Sequence, residues 1–252
     1  MKFDTEKVKQ ELYTGVISDV LDGMGYRDQA LPGGAIAGLS DETVIFGPAF
    51  TSIGTQVYSM PPDPLTAQCK VVDQLGEGEI YVLVTRGEYN CAVFGELFAT
   101  AVRQRGGAGV LLDGYARDVK ALKAMDFPLF YRGRDTRTSK GRCEINECQI
   151  PVVMEGVTIC PGDYIFGDAD GVVIIPKDIV DEVLEKSFQT VKRRIRSGTA
   201  CYKAPPYRRS TPRSAPSDGK MENHHTIQGE VLRGLPLTFL DAFRRFSPGS
   251  TV

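Results

Sequence analysis

The spacing of hydrophobic positions divides the first 198 residues of the chain into two stretches. Up to about residue 149, segments with helical spacing alternate with short apolar runs, a pattern typical of α/β units. From Ile150 onward, short apolar runs separated by turns that contain glycine predict successive β-strands. Pro176 then starts a helix that we expect to run to about Arg196 and to end at Gly198. The pattern predicts a mixed α/β domain.

The individual elements follow from the same spacing. The predicted helices cover residues 5–23, broken near Gly15, and then 65–75, 95–105, 119–125 and 176–196. The predicted strands cover residues 43–53, interrupted at Gly47-Pro48, and then 79–85, 108–112, 128–131, 151–154, 157–160, 164–166 and 172–175. Asp168-Ala-Asp-Gly171 predicts a tight hairpin turn rather than a calcium loop, because the twelfth position from Asp168 is Ile179 and not glutamate.

Residues 95–118, GELFATAVRQRGGAGVLLDGYARD, carry the most chemical information. A helix opens on Gly95-Glu96-Leu97, two glycines end it, a short strand follows, and Asp113-Gly114 is expected to turn the chain before Arg117-Asp118. Such a unit can bring the N-terminus of its helix close to the loop after its strand. Free N–H groups there attract anions, arginine binds carboxylates, and aspartate is a ligand for a hard cation. The segment therefore indicates a site for a small carboxylate bound to a metal.

Each of these residues also has an ordinary structural interpretation. Arg-Asp pairs are common in solvated turns, and an acidic residue such as Glu96 favours the first turn of a helix through the helix dipole alone. Position favours the functional interpretation of Arg117-Asp118, because α/β proteins place ligands in the loops after buried strands. In that interpretation, the amides of residues 95–97 hold a carboxylate and Glu96 reaches metal-bound water.

Composition narrows the classes of function. The 252 residues carry a net charge of −2, which argues against nucleic acid or an anionic membrane as partner. The N-terminus is polar and no apolar run approaches the roughly 20 residues of a membrane span, so we expect a cytoplasmic protein with reduced cysteines. The two histidines, His224 and His225, lie outside the predicted core. A histidine-based triad or a histidine-rich zinc site is therefore nearly excluded.

The composition changes after Gly198. Residues 199–226 are rich in Pro, Ser and Arg and predict a disordered linker. Residues 227–252 regain apolar spacing and predict a C-terminal extension with a short amphipathic helix that starts after Pro236. We expect three parts: a domain of residues 1–198, the linker, and the extension.

Over residues 5–198 the chain resembles a known family. The acidic residue Glu96 is followed by twenty intervening positions, residues 97–116, and then by Arg117-Asp118. The accompanying motifs are Gly109-Val-Leu-Leu-Asp-Gly114, Pro161-Gly-Asp163 and Asp168-Ala-Asp-Gly-Val172, before Pro176. This combination resembles the RraA-like family, which includes the 4-hydroxy-4-methyl-2-oxoglutarate aldolases and oxaloacetate decarboxylases. The resemblance implies an αββα sandwich akin to the swivelling phosphohistidine domains, assembled as a homotrimer or homohexamer.

The resemblance also implies an activity and the residues that carry it. The implied enzyme is a lyase that cleaves a 2-oxo acid, 4-hydroxy-4-methyl-2-oxoglutarate or oxaloacetate, and releases pyruvate with Mg²⁺ or Mn²⁺ as cofactor. Asp118 would hold the metal, Arg117 would contact the 2-oxo acid and stabilise the enolate, and the loop Gly95-Glu96-Leu97 would bind the substrate's carboxylate. This route needs neither histidine nor a Schiff-base lysine.

Two departures from the family leave alternatives open. The aldolases are expected to take an acidic residue from a neighbouring subunit, and this chain offers Glu182 and Glu185 on its last predicted helix without a motif that selects either. Residues 199–252 extend past the usual end of the family. One alternative function is that of a regulator that binds a ribonuclease without chemistry of its own. The other is a lyase or isomerase that acts on a sugar-derived acid.

Overall fold

The computed structural model of the chain describes residues 3–32, 34–62, 64–85 and 91–203. Within them the helices are α1 (Thr5–Glu11), α2 (Thr14–Gly23), α3 (Thr66–Val72), α4 (Glu96–Gln104), α5 (Val119–Ala124) and α6 (Val180–Lys203), with a 3-10 turn at Lys177–Ile179. The strands are β1 (Ala37–Gly38), β2 (Ile45–Gln56), β3 (Ile80–Val84), β4 (Ala92–Phe94), β5 (Gly109–Ala116), β6 (Leu129–Arg134), β7 (Cys143–Cys148), β8 (Val152–Met154), β9 (Val157–Ile159), β10 (Tyr164–Asp168) and β11 (Gly171–Ile175). The predicted α/β class is confirmed.

One large sheet organises these elements. Its strands follow the order β1-β6-β5-β3-β2-β10-β11, with β4 beside β5 and β7 beside β2, while β8 and β9 form a separate hairpin. The neighbours β2, β3, β5 and β6 are parallel, and β10 and β11 continue the sheet antiparallel from β2. Because parallel strands end at the same edge, the carboxyl ends of β3, β5 and β6 lie together.

Strand β3 shows why the sheet is covered on both faces. All five of its residues are buried, and alternate side chains point to opposite faces. Tyr81 and Leu83 pack in a core with Phe98 and Val102 of α4, whereas the other face of the sheet packs against the hairpin β8–β9. A third core joins α1 and α2 to α6 and to the strands β10 and β11. The apolar residues Val16, Ile17 and Leu21 of α2 lie in this third core.

Three sequence predictions about chain breaks were wrong. Asp113-Gly114 does not turn the chain but lies inside β5, where Asp113 pairs with Val84 of β3 and its buried carboxylate accepts a hydrogen bond from Arg132 of β6. Gly47-Pro48 does not interrupt β2, and a Cβ at Gly47 would come within 2.3 Å of the Gly78 carbonyl oxygen. That glycine serves a close approach of backbone rather than a break.

The third wrong prediction concerns the end of the last helix. Helix α6 continues through Gly198 to Lys203, because one glycine in a helix costs only about 1 kcal/mol relative to alanine. The predicted linker and C-terminal helix lie almost entirely beyond the described residues. The strands β1, β4 and β7 were not predicted. Among the residues that the structure describes, no helix has the length and apolar character that crossing a membrane would need.

Candidate functional site

The candidate site lies where β5 ends and α4 begins. Arg117 and Asp118 follow the last residue of β5, and Asp118 adopts a left-handed conformation (φ +56°) just before α5. The Arg117 N–H donates to the Phe94 carbonyl at 2.9 Å, which fastens the loop after β5 to the strand that leads into α4. The sequence prediction that this unit brings its helix N-terminus to the Arg-Asp pair is confirmed.

The Asp118 carboxylate lies at the N-terminus of α4. Its Oδ2 accepts a hydrogen bond from the Glu96 N–H at 3.3 Å, and the Arg117 Nε lies 3.5 Å from the same oxygen. Both contacts are long, and the side chains of Arg117 and Asp118 are 43% and 39% exposed. The helix N-terminus therefore attracts a carboxylate that keeps most of its lone pairs available for another partner.

Gly95 makes this approach possible. A Cβ at this position would lie 2.6 Å from the Asp118 Oδ2 and 3.1 Å from the Arg117 Cγ. Since its φ of −168° is extended backbone that any residue adopts, the requirement for glycine comes from space and not from conformation. A side chain at residue 95 would push the Arg-Asp pair away from α4.

Two depressions flank the Arg-Asp pair, and Arg117 and Asp118 line both. The first encloses about 140 Å³. Its lining also includes Leu65, Ala92, Val93, Phe94, Gly95, Leu97, Phe98, Thr138, Ser139 and Lys140. The second is wider, about 540 Å³, and is lined also by Ala116, Val119, Arg134, Asp135 and Thr136. The narrow depression is mostly apolar with cationic groups at its wall, which suits a small organic anion.

The remaining sequence-predicted residues lie in different places. Leu97 lines the narrow depression and is 65% exposed. Glu96 is exposed at the first position of α4, and its side chain is not among those that line either depression. Glu182 and Glu185 are exposed on α6, where Glu182 pairs with Lys186 at 2.7 Å, and neither lines a depression.

Several residues of the site were missed from the sequence. Lys140, Thr138 and Ser139 reach the narrow depression from the loop between β6 and β7, and Arg134 to Thr136 reach the wide one from the end of β6. These residues lie near Arg117 because β6 is the neighbour of β5 in the sheet, with Ala116 of β5 in register with Arg134 of β6. Only a prediction of the sheet order could have found them.

Charges in the wide depression are partly compensated. Arg137 donates to both carboxylate oxygens of Asp135, at 2.5 to 3.2 Å, and through its backbone N–H at 2.8 Å. These hydrogen bonds lower the pKa of Asp135 to about 2. Arg134 donates through Nε to the Tyr131 hydroxyl at 3.2 Å, which raises the pKa of its guanidinium.

A divalent cation would find one carboxylate, that of Asp118, at the wall that the two depressions share. Among the described residues no group of three or more His, Cys, Asp or Glu side chains is placed to hold a metal ion. Mg²⁺ keeps several waters and takes one or two protein carboxylates, with the substrate as a further ligand. Asp118, half-exposed at the wall of both depressions, fits that mode of binding.

Taken together, a parallel sheet edge, a helix N-terminus and an adjoining Arg-Asp pair meet at one place in this α/β domain. The chain belongs to the RraA-like family, described as Aldolase/RraA, whose model matches residues 14–174. The family includes aldolase-type enzymes and RraA regulators. The predicted family is confirmed.

Relatives with names and structures agree with this assignment. A protein of Halalkalibacterium halodurans named "Putative 4-hydroxy-4-methyl-2-oxoglutarate aldolase" is 36% identical over 174 residues, which are 69% of this chain and 77% of that one. The crystal structure of an uncharacterised protein of Pseudomonas syringae pv. tomato matches with a TM-score of 0.68 at 29% identity, covering 80% of this chain and 92% of that one. Streptomyces coelicolor RraAS2, of the RNase ES inhibitor RraA family, matches with a TM-score of 0.66 at 24% identity, covering 78% and 98%. The predicted αββα fold of the RraA-like type is confirmed.

Proposed function

We propose that the chain is a divalent-metal-dependent lyase that cleaves a 2-oxo acid and releases pyruvate. The candidate substrates are 4-hydroxy-4-methyl-2-oxoglutarate and oxaloacetate. The observation that carries the proposal is the position of Arg117 and Asp118 against the N-terminus of α4, at the wall of a depression of about 140 Å³. The name of the Halalkalibacterium halodurans relative supports the same type of enzyme.

Binding of the 2-oxo acid follows from the groups on the wall. The positive end of α4, with the backbone amides of Gly95 to Leu97 that Asp118 does not engage, holds the carboxylate next to the keto group. The guanidinium of Arg117 lies beside the place where negative charge develops. The apolar side chains of Phe94 and Phe98 reduce the water content of the depression and so strengthen these interactions.

The chemistry requires stabilisation of an enolate. Cleavage of the bond between C3 and C4 leaves the electron pair on the pyruvate fragment, and the Arg117 guanidinium stabilises that charge. Asp118 would hold Mg²⁺ or Mn²⁺, which when bound supplies Lewis-acid polarisation of the keto group. Glu96, at the first position of α4, is proposed to orient a water molecule at the rim of the site.

The two candidate substrates differ in their need for a base. Retro-aldol cleavage requires removal of the proton from the C4 hydroxyl, whereas oxaloacetate loses carbon dioxide without such a step. In the single chain, the carboxylates that line the depressions are those of Asp118 and Asp135. The Asp135 carboxylate is held by Arg137. We therefore expect decarboxylation to proceed in the isolated chain and aldol cleavage to depend on assembly. The proposed assembly is a homotrimer or homohexamer, which light scattering checks.

The test measures pyruvate release from each substrate, with Mg²⁺, with excess chelator, and with Asp118→Ala. We expect release that the chelator abolishes and that Asp118→Ala lowers by at least about 10³-fold. Asp41→Ala is the matched control, because Asp41 is an exposed turn residue away from both depressions. Equal activity of wild type and Asp118→Ala would refute the proposal, and release only from a sugar-derived acid in a wider panel would change the substrate.

A further inference from the structure

In the proposed function the pyruvate end of the substrate occupies the narrow depression, which leaves the wide depression beside Arg117 and Asp118 to be accounted for. It encloses about 540 Å³ and opens on the side of the Arg-Asp pair that faces β6. The narrow depression already accommodates a three-carbon acid, since its volume is about 140 Å³. A substrate that extends past the keto group must place its other end somewhere, and the two depressions meet at the pair of residues that both share.

Arg134 is placed at the wall of the wide depression by strand register. It is the last residue of β6, and its Cα is the register partner of Ala116, the residue directly before Arg117. The Asp135 N–H donates a hydrogen bond to the Ala116 carbonyl at 3.2 Å, so the pairing with β5 continues for one residue past the end of β6. Two arginines thus project from neighbouring parallel strands where both strands end.

The charge of Arg134 is not balanced by the residues around it. Its Nε donates to the neutral Tyr131 hydroxyl at 3.2 Å, and no carboxylate of the described residues forms an ion pair with it. Asp135, the nearest acidic residue in sequence, is engaged by Arg137 through three side-chain contacts and one backbone contact. The wall of the wide depression therefore carries an arginine fork with donors available for an anion.

We infer that Arg134 binds the second carboxylate of the substrate and makes the site selective for 2-oxo diacids over 2-oxo monoacids. The inference rests on the proposed function for the orientation of the substrate, with its pyruvate end in the narrow depression. An arginine is suited to this task, because its planar guanidinium matches a carboxylate with two parallel hydrogen bonds. Arg134 acts as a specificity-determining residue and takes no part in bond cleavage.

The binding test needs no turnover. Calorimetry compares 2-oxoglutarate, a five-carbon diacid, with 2-oxopentanoate, the monoacid of the same length, in the presence of Mg²⁺. We expect Arg134→Gln to weaken binding of 2-oxoglutarate about tenfold and to leave 2-oxopentanoate within about twofold, while Arg134→Lys restores part of the loss. Arg105→Gln is the control, because it removes the same charge at the opposite end of α4, where Arg105 pairs with Asp73.

The turnover test separates the inference from the proposed function. With oxaloacetate, Arg134→Gln should raise KM about tenfold without lowering kcat, because the carboxylate that Arg134 holds loses its charge as carbon dioxide leaves. Exchange of the pyruvate C3 protons with solvent, which involves no second carboxylate, should be unchanged. Selective diacid binding without any turnover by the wild type would refute the lyase and leave the inference standing. Equal weakening of diacid and monoacid, or no weakening of either, would overturn the inference.

Discussion

Asp118 and Asp168 occupy similar positions in the fold but differ in their hydrogen bonding. Each lies at or just after the end of a buried strand, and each faces the N-terminus of a helix. Asp168 accepts hydrogen bonds from the N–H and the hydroxyl of Thr14 at 2.8 and 2.6 Å, and from the Asp170 N–H at 3.0 Å. Asp118 accepts one backbone hydrogen bond, from the Glu96 N–H at 3.3 Å.

The difference separates a structural carboxylate from one that is available to a ligand. The Asp168 carboxylate accepts hydrogen bonds from the first turn of α2 and from its own hairpin. It therefore fixes the start of α2 to the sheet. Asp118 is 39% exposed at the wall of two depressions and has lone pairs to share. Two aspartates in similar positions of the fold are therefore told apart by the number and length of the hydrogen bonds that they accept.

Replacement of the carboxylate by an amide at residues 118 and 168 should give the largest contrast between loss of activity and loss of stability. Asp118→Asn should lower pyruvate release by at least about 10³-fold, because the neutral amide holds a divalent cation much more weakly than the carboxylate, and should change the free energy of unfolding by less than about 0.5 kcal/mol. Asparagine also tolerates the left-handed conformation of residue 118. Enzyme assays and urea unfolding of the same preparation check both values. Full activity of Asp118→Asn would contradict the interpretation that Asp118, unlike Asp168, binds a ligand.

Gly95→Ala tests whether the position of Asp118 matters as well as its charge. The new Cβ would lie 2.6 Å from the Asp118 Oδ2, so the Arg-Asp pair must move and activity should fall about 10²-fold. Gly23→Ala is the matched control, because a Cβ at the last position of α2 meets no atom within 4 Å. Full activity of Gly95→Ala would show that the pair tolerates displacement from α4.

Asp168→Asn should show the reverse pattern. The loss of a charged acceptor at the start of α2 should destabilise the domain by about 1–2 kcal/mol, while the activity per folded molecule stays within about twofold of wild type. Thr14→Val, which removes the hydroxyl partner, should produce a smaller loss in the same direction. Thermal unfolding followed by circular dichroism, together with the pyruvate assay, measures the two effects. A large loss of activity at unchanged stability would contradict a structural role.

Asp135 is an intermediate case, since it lines the candidate site but is held by Arg137. Its pKa of about 2 lies below the ordinary value near 3.9, so the pair contributes stability above about pH 4 and loses that contribution as the pH falls towards 2. The melting temperatures of wild type and Arg137→Gln should therefore differ slightly near neutral pH and converge on acidification. Arg193→Gln is the control, because Arg193 contacts the Thr190 hydroxyl instead of a carboxylate. A difference that grows on acidification would contradict the assigned cause.

The part of the site that could be predicted from the sequence is the part built by one continuous segment. Residues 95–118 form β5 and α4 with periodic apolar positions, and their short connection brings Gly95, Arg117 and Asp118 together. Helix propensity, glycine stops and strand length are local properties, so the sequence predicts them well. The roles assigned to Glu96 and Asp118 in metal binding stay predictions.

The missed parts depend on contacts between distant segments. Asp113-Gly114 has the composition of a turn, but Asp113 pairs with Val84 of β3 and its carboxylate accepts a hydrogen bond from Arg132 of β6, which keeps this segment in the strand. Arg134 joins the site only because β6 lies next to β5, and Lys140 only through the loop that follows. Such neighbours cannot be found from periodicity, because strand order is a property of the whole sheet.

The attachment of α2 to Asp168 also sets a time scale for the growing chain on the ribosome. Thr14 and Asp168 are separated by 154 positions, and the apolar face of α2 packs on β10, β11 and α6. At a synthesis rate of roughly 5–20 residues per second, about 8 to 30 seconds pass before Asp168 follows Thr14 into the chain. During that interval Val16, Ile17 and Leu21 have no native partner from the end of the domain. The first helices to be made are therefore among the last to be fixed, and they are the segment that a chaperone acting on the nascent chain would meet.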